Sequence, residues 1–344
     1  MQCAEVVIGG ESDQNSSCQQ DTCSQQSITP SYSDLAVQCK IEPLGKFSIE
    51  HFTSNSRMIY YYTGFNSFEH FNLFFNILGP AVNELNYKCS LLIPEDQLFL
   101  TLMKLKQAKE DIELSFLFGI SESTVSKIIV TWINFMYYQL KELKDQFWPT
   151  MDIINEHMPD DFRTKFQTTR VILDATETPI QKPSDVEAQS TTWSSYKHMN
   201  TLKTMVGITP NGAVSFISDA YGGSASDRQI IERSDLLDPS KFEKGNSIMA
   251  DRGIMVQDLF AVNDVKVNTP TFLKGKSQLD PAEVVHDRRI ASKRIHVERV
   301  IGYVKRYKIL KSELPSSKVP LGSRIVFICF TIANFSNCIV DKSA

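Results

Sequence analysis

The sequence predicts an α/β layer fold set behind an all-helical region, on three observations. Short β-branched runs cluster after Pro149, a Pro210-Asn211-Gly212 turn joins two of them, and a long helical pattern opens at Asp280-Pro281-Ala282-Glu283. Strands that give way to a long helix bury a sheet face beneath it, which is the layer logic of α/β proteins.

Taken in chain order, residues 1–45 come first. They carry six acids against Lys40 alone, are rich in Ser, Gln and Cys, and are poor in aromatics. Such a segment cannot bury enough apolar surface to offset the entropy of ordering and is expected to be a disordered tail. From Phe47 the composition turns aromatic and apolar, and residues 46–150 are expected to be helical. Phe68, Phe71, Phe75 and Leu78 recur at helical spacing before a Gly79-Pro80 stop. Residues 94–140 read as consecutive helices broken at one place, Gly119, where a tight turn needs tolerance of positive φ. Ser121 then caps a helix whose Val125, Ile128, Ile129, Trp132 and Met136 form one apolar stripe. Residues 114–126 therefore have helix-turn-helix form within a region of about 90–140, with Ser123, Ser126 and Lys127 facing outward. Helix, glycine turn and helix also describe plain bundles, so spacing alone leaves DNA contact open.

Strands are expected at 169–174, 202–208 and 213–220, the last two joined by the Pro-Asn-Gly hairpin signal, with a weaker fourth at 246–250. From Asp280 the pattern is helical: an N-cap aspartate, a first-turn proline and a capping-box glutamate.

The 344 residues are 42% apolar and 22% charged, ordinary for a globular chain. The most apolar stretch, 325–335, is interrupted by Thr331 and Asn334 and falls short of the roughly 20 residues a membrane span needs, so no membrane partner is expected. Residues 1–10 have neither a basic start nor a sustained apolar run, so no secretory signal is expected and the compartment should be intracellular. The seven cysteines, at 3, 18, 23, 39, 89, 329 and 338, show no zinc-finger spacing and read as free thiols. The net charge of −4 conceals a gradient, because residues 286–311 carry nine Lys or Arg against Asp287 and Glu298. Such a stretch suits a phosphate backbone.

Three acids stand where an α/β fold would expose them: Asp174 at the end of the first strand, Asp251 after the fourth, and Glu298 in the long helix. Carboxylates at strand ends point into the crevice where open sheets bind ligands. If the three converge, their charges require protons or cations, and the hard ions Mg²⁺ and Mn²⁺ suit carboxylate and phosphate oxygens. On the helical wheel Glu298 shares a face with Ala291, Arg294, Gly302 and Lys305, while Ile290, Val297, Ile301 and Val304 form the apolar face. Taken singly, an Asp after a strand is usually a turn residue and a Glu in a basic helix is usually a partner of a residue four positions away, here Arg294.

The phrases Asp174-Ala-Thr-Glu-Thr-Pro179, Trp193-Ser-Ser-Tyr-Lys197 with Lys203, Gly207-Ile-Thr-Pro-Asn-Gly212, Gly222-Gly-Ser-Ala-Ser-Asp227, Ala250-Asp-Arg-Gly253, Pro270-Thr-Phe-Leu-Lys-Gly275 and Arg294-Ile-His-Val-Glu-Arg-Val-Ile-Gly302 occur in this order. Together they resemble the DDE superfamily endonucleases, the PIF/Harbinger-type transposases and their IS5-like relatives, over about 160–342, with residues 90–140 similar to the helix-turn-helix such proteins carry upstream. The resemblance implies a ribonuclease-H-like mixed sheet flanked by helices. It also implies Asp174, Asp251 and Glu298 as the catalytic, metal-binding triad, two Mg²⁺ or Mn²⁺ ions, and cutting and joining of double-stranded DNA at transposon ends and target. Ser123, Lys127, Lys197, Arg252, Arg294, Arg299 and Lys305 are the expected DNA contacts. Ala175 and Ile254 stand where Gly or Cys and an aromatic are more usual. A zinc-binding recognition domain is not evident, so a transposon-encoded or host DNA-binding partner is expected to assist. Pairing two DNA ends implies a homodimer, and acting on chromosomal DNA implies the nucleus.

Asp227 is expected to cap a helix and Asp219 to be structural; Trp193 and Tyr196 are expected to pack in the core rather than stack on a base, and His296 to face away from Glu298. The alternative reading is a domesticated, catalytically silent nuclear DNA-binding or adaptor protein. A nucleotide-binding α/β enzyme ranks last, because no Gly-rich loop follows the first strand.

Overall fold

The computed structural model describes residues 47–340 apart from 274, 276, 337 and 338. The expected tail and the cysteines at 3, 18, 23, 39 and 338 lie outside these residues.

Helices α1 (Ser56–Thr63) and α2 (Phe68–Ile77) precede α3 (Pro94–Gln107), α4 (Asp111–Phe118) and α5 (Glu122–Glu142). Helix α2 ends as expected, with Gly79 at φ 74° before Pro80. Gly119 closes α4 at φ 64°, and the Ser121 hydroxyl accepts from the Thr124 N–H at 3.2 Å to start α5. The axes of α4 and α5 meet at 103°, the angle of a helix-turn-helix. Val125, Ile128, Ile129, Trp132 and Met136 are all buried. The helical stretch is broken at two places, not one. Ala108 takes φ 54°, and Lys104 Nζ holds the break by donating to the Lys109 carbonyl at 2.6 Å and meeting Asp111 at 2.8 Å. Alanine carries no turn chemistry, so composition does not announce this bend.

After the short helices α6 (Met151–Glu156) and α7 (Asp160–Lys165) come β1 (Thr169–Pro179), α8 (Val186–Thr192), β2 (Trp193–Ser194), β3 (Met199–Ile208), β4 (Val214–Ile217) and β5 (Tyr221–Gly222). Then follow α9 (Asp227–Glu232), β6 (Ser247–Met249), α10 (Gln257–Ala261), β7 (Lys266–Asn268), α11 (Pro281–Val304) and α12 (Gly322–Ala333). The sheet runs β2-β3-β1-β6-β7, with β4 and β5 also paired to β3. Pairing of β1 is antiparallel to β3 and parallel to β6, and β6 is parallel to β7. This is a mixed sheet flanked by helices, the ribonuclease-H-like arrangement the sequence predicted.

Alternation along β1 divides the core. Ile172, with Val206, Ile208 and Met249, faces the helices α3, α5, α11 and α12; Val171 and Leu173 face the other way, onto Ile230, Ile254 and Phe260. One apolar cluster therefore continues from Ile49 and Phe99 through Trp132 to Val297 and Phe330. The apolar run Ser316–Ala333 is largely buried within it. Helix α11 opens with the expected capping box of Asp280 and Glu283.

Candidate active site

Asp174 does not end β1. The strand continues five residues to Pro179, because Thr176 and Thr178 bury on one side while β3 pairs with it as far as Pro179↔Thr201. Asp174 is thus a mid-strand residue. Its neighbour in the site follows from register: the last rung between β1 and β6 is Ile172↔Met249, so two residues further on both chains lie Asp174 and Asp251. Two residues restore the same face, and adjacent strands run about 4.8 Å apart. That face is covered by α11, whose Ile290, Val297, Ile301 and Val304 are buried and whose Glu298 is exposed at the rim.

Between the acids stands Arg294. Its Nη1 lies 3.0 Å from Asp251 Oδ1 and its Nη2 3.8 Å from Glu298 Oε1, with only 12% of its side chain exposed. Asp174 Oδ1 accepts from the Ala175 N–H at 2.9 Å and Asp251 Oδ1 from the Arg252 N–H at 2.7 Å. Burial pushes the Asp174 carboxyl up to about 6; Arg294 and the Ala175 N–H pull it down, and Glu298 and Asp251 push it up again. The three acids and Arg294 therefore share one electrostatic field.

Among the described residues no three His, Cys, Asp or Glu side chains are closed around one point as they stand. The donor set nonetheless fits a hard divalent cation: three carboxylates from three elements, oxygen atoms only, drawn together around a positive charge. Asp174, Asp251 and Glu298 are the residues that would hold it.

The other predicted residues fall into two groups. Lys197 is exposed and lies over the Tyr196 ring at 4.7 Å, while Lys305 donates to the Glu177 carbonyl at 3.2 Å. Burial and then Lys197 lower the Lys305 ammonium, with Glu177 and Asp174 opposing, so Lys305 lies within the field of Asp174 and Lys197 within that of Lys305. Arg252 and Arg299 are exposed, and Arg252 reaches Asp287 at 3.9 Å. Ser123 and Lys127 face outward on α5, at a different part of the molecule's sequence and elements, and Lys127 lies over Tyr87 at 5.6 Å. Ser126 departs from expectation: it is half-buried and accepts from Lys318 Nζ at 3.0 Å.

Trp193 and Tyr196 do not pack in the core. They are 45% and 80% exposed, because β2 is a two-residue edge strand followed by a turn. Asp227 starts α9, but the capping oxygen is that of Ser226, which forms a capping box with Gln229. Glu177 accepts from Thr201 Oγ1 at 2.8 Å, and Ile254 fills the second apolar cluster. His296 is buried against the Phe162 ring at 5.8 Å and, as expected, turns away from Glu298.

Arg294, expected as a DNA contact, instead serves the carboxylates: it meets Glu298, the partner its spacing offered, and also Asp251, which the sequence did not signal. One further role was missed. Asp287 accepts from both the N–H and the hydroxyl of Thr271 at 2.9 Å, tying the Pro270–Gly275 phrase to α11. Nothing in its local sequence marks that contact.

No curated protein matches the chain. Residues 173–334, which include Asp174, Asp251 and Glu298, match the family described as DDE superfamily endonuclease. Residues 89–142, which hold α3, α4 and α5, match the helix-turn-helix of DDE superfamily endonuclease. With both parts present in order and on the expected folds, the chain belongs to the DDE superfamily endonucleases, with a helix-turn-helix region upstream of the nuclease.

Proposed function

We propose that this chain is a metal-dependent DNA transposase, cutting and joining phosphodiester bonds at a site formed by Asp174, Asp251 and Glu298. The observation that supports the reading is the rung Ile172↔Met249, the last between β1 and β6, two residues beyond which each strand leads to an aspartate, with the glutamate-bearing α11 packed over the same sheet. When bound, two Mg²⁺ or Mn²⁺ ions would supply an activated water and stabilise the attacking and leaving oxygens of an in-line displacement at phosphorus.

The protein's own groups do the rest. Lys305 and Arg252, which lie by Asp174 and Asp251, and the exposed Lys197 and Arg299 would hold the DNA backbone, and Ser123 and Lys127 on α5 would engage the duplex elsewhere. After hydrolysis frees a 3′-hydroxyl, the same acids would serve its attack on target DNA. The open surface at Gly302, where an added Cβ would meet nothing within 4 Å, leaves room for a backbone to approach. Two DNA ends require two sites, which favours a homodimer, and DNA as substrate favours the nucleus.

The test is nicking of end-labelled duplex DNA in Mn²⁺ by purified protein. The unmodified chain should cut, and Asp174→Ala, Asp251→Ala and Glu298→Ala should each fall by about 100-fold or more, since each removes a direct oxygen ligand. Equal cutting by Asp174→Ala would end the assignment. DNA binding without cutting in either Mg²⁺ or Mn²⁺ would point to the silent, domesticated reading.

A further inference from the structure

Arg294 is turned inward, and that sets it apart from the basic residues around it. An arginine that serves a phosphate backbone extends into solvent, as Arg299 five residues on does. Arg294 instead keeps 12% of its side chain exposed and divides its guanidinium between Asp251 at 3.0 Å and Glu298 at 3.8 Å. Its Nε is buried and has no hydrogen-bond partner. The group is therefore held at its tip by the two acids, with no further anchor along the guanidinium.

A divalent ion needs its carboxylate oxygens at about 2.1 Å. A dication on Asp251 Oδ1 would stand directly beside a guanidinium 3.0 Å from the same oxygen, and like charges that close repel even though the two carboxylates are about half exposed. The two cations therefore compete for these carboxylates.

Building on the metal reading above, we propose that Arg294 is the built-in counter-ion of this site: it neutralises Asp251 and Glu298 in the metal-free protein and is displaced from them as a divalent cation enters. The displaced guanidinium, on a long side chain next to two half-exposed carboxylates, then becomes free to meet a DNA phosphate, so that loading with metal and gripping DNA are linked.

Direct titration of Mn²⁺ into the DNA-free full-length protein, followed by calorimetry, tests this. Arg294→Gln should bind Mn²⁺ about tenfold more tightly than the unmodified chain and should melt at lower temperature without metal, because its acids lose their counter-ion. Mn²⁺ affinity that is unchanged or weaker in a folded Arg294→Gln would overturn the proposal. Should that variant fail to fold, the unmodified chain decides. Its Arg294 Nε–Hε NMR signal, assigned by its absence from Arg294→Lys, should move as diamagnetic Mg²⁺ is added, and a signal that stays fixed while Mg²⁺ binds rejects displacement. Asp251→Asn separates the two ideas. If it loses Mn²⁺ while Arg294→Gln binds as the unmodified chain does, the counter-ion proposal alone fails; if it binds Mn²⁺ as well as the unmodified chain, the metal assignment itself fails.

Discussion

Lys203 on β3 meets Asp227 in the first turn of α9 with 2.7 Å between Nζ and Oδ1, both side chains mostly buried. The pair joins two of the sequence phrases, and Lys203 Nζ also donates to the Ala225 carbonyl at 3.2 Å. A cation here ties the centre of the sheet to the loop that leads into α9. Removing it leaves a carboxylate with little water and no partner, which costs more than the pair itself contributes. Lys203→Met is expected to lose about 2–3 kcal/mol in urea unfolding, and Lys203→Met with Asp227→Asn to recover part of it. A loss under about 0.5 kcal/mol from the single change would mean the pair is solvated after all.

Asp174 should make the metal-free protein pH-sensitive. Its folded pKa is about 6 against an ordinary 3.8, so between those values the folded chain holds a proton that the unfolded chain has released. Its contribution is fully present below 3.8 and lost as pH rises through 6. Asp174→Asn, neutral throughout, should therefore be more stable than the unmodified chain at pH 7.5 by about 1–3 kcal/mol, with the difference fading toward pH 4. Thermal melts across this range in chelator check it; a variant less stable at pH 7.5 contradicts it.

His296 should act in the opposite sense. Burial first, then Arg299 and Lys293, lower it to about 4 from 6.5, with Asp161 opposing. Neither ring nitrogen has a hydrogen-bond partner. The unfolded chain takes up a proton below 6.5 that the folded chain refuses, so stability is full above that pH and lost as pH falls toward 4. His296→Phe, which keeps a ring against Phe162, should remove this slope, worth about 1–3 kcal/mol. Equilibrium unfolding at pH 7 and pH 5 reads the difference, and an unaltered slope counts against it.

Gly222 and Gly223 explain the Gly-Gly of the 222–227 phrase. A Cβ at Gly222 would stand 2.2 Å from the Thr191 carbonyl oxygen, and one at Gly223 would stand 2.3 Å from Thr201 Oγ1. The close approach at Gly222 is to backbone, which cannot rotate away, so Gly222→Ala should cost about 2–3 kcal/mol. Gly302→Ala, in helix α11 with open space around it, should cause no loss and should add up to about 1 kcal/mol. Comparable losses from both would refute the packing explanation.

Much of this architecture was legible because particular residues carry particular chemistry. Gly119 and Ser121 announced a helix stop and start, Asp280 to Glu283 a capping box, and Pro210 to Gly212 a hairpin, and each is found there. The misreadings have physical causes. Asp174 looks like a strand stop, yet β1 runs on because Thr176 and Thr178 beyond it face inward. Strands β2, β5 and β7 span two or three residues and have no periodicity to detect. In the candidate site the three acids stood out singly. The shared register of Asp174 with Asp251 and the guanidinium between the acids are set by pairing across long separations, which a linear reading does not contain.

The apolar cluster common to α5, α12 and the inner face of the sheet fixes how the two parts of the molecule sit together. Arg324 on α12 bonds to Asn134 and lies over the rings of Tyr137 and Tyr138 on α5, while Asn334, at the end of α12, clasps the Val214 backbone of β4 through both its amide atoms at 2.8 Å. The helix-turn-helix is thereby welded to the sheet rather than strung on a tether. The outer face of α5 and the sheet that carries Asp174 therefore keep one fixed spacing, which no change in the length of an exposed loop would alter.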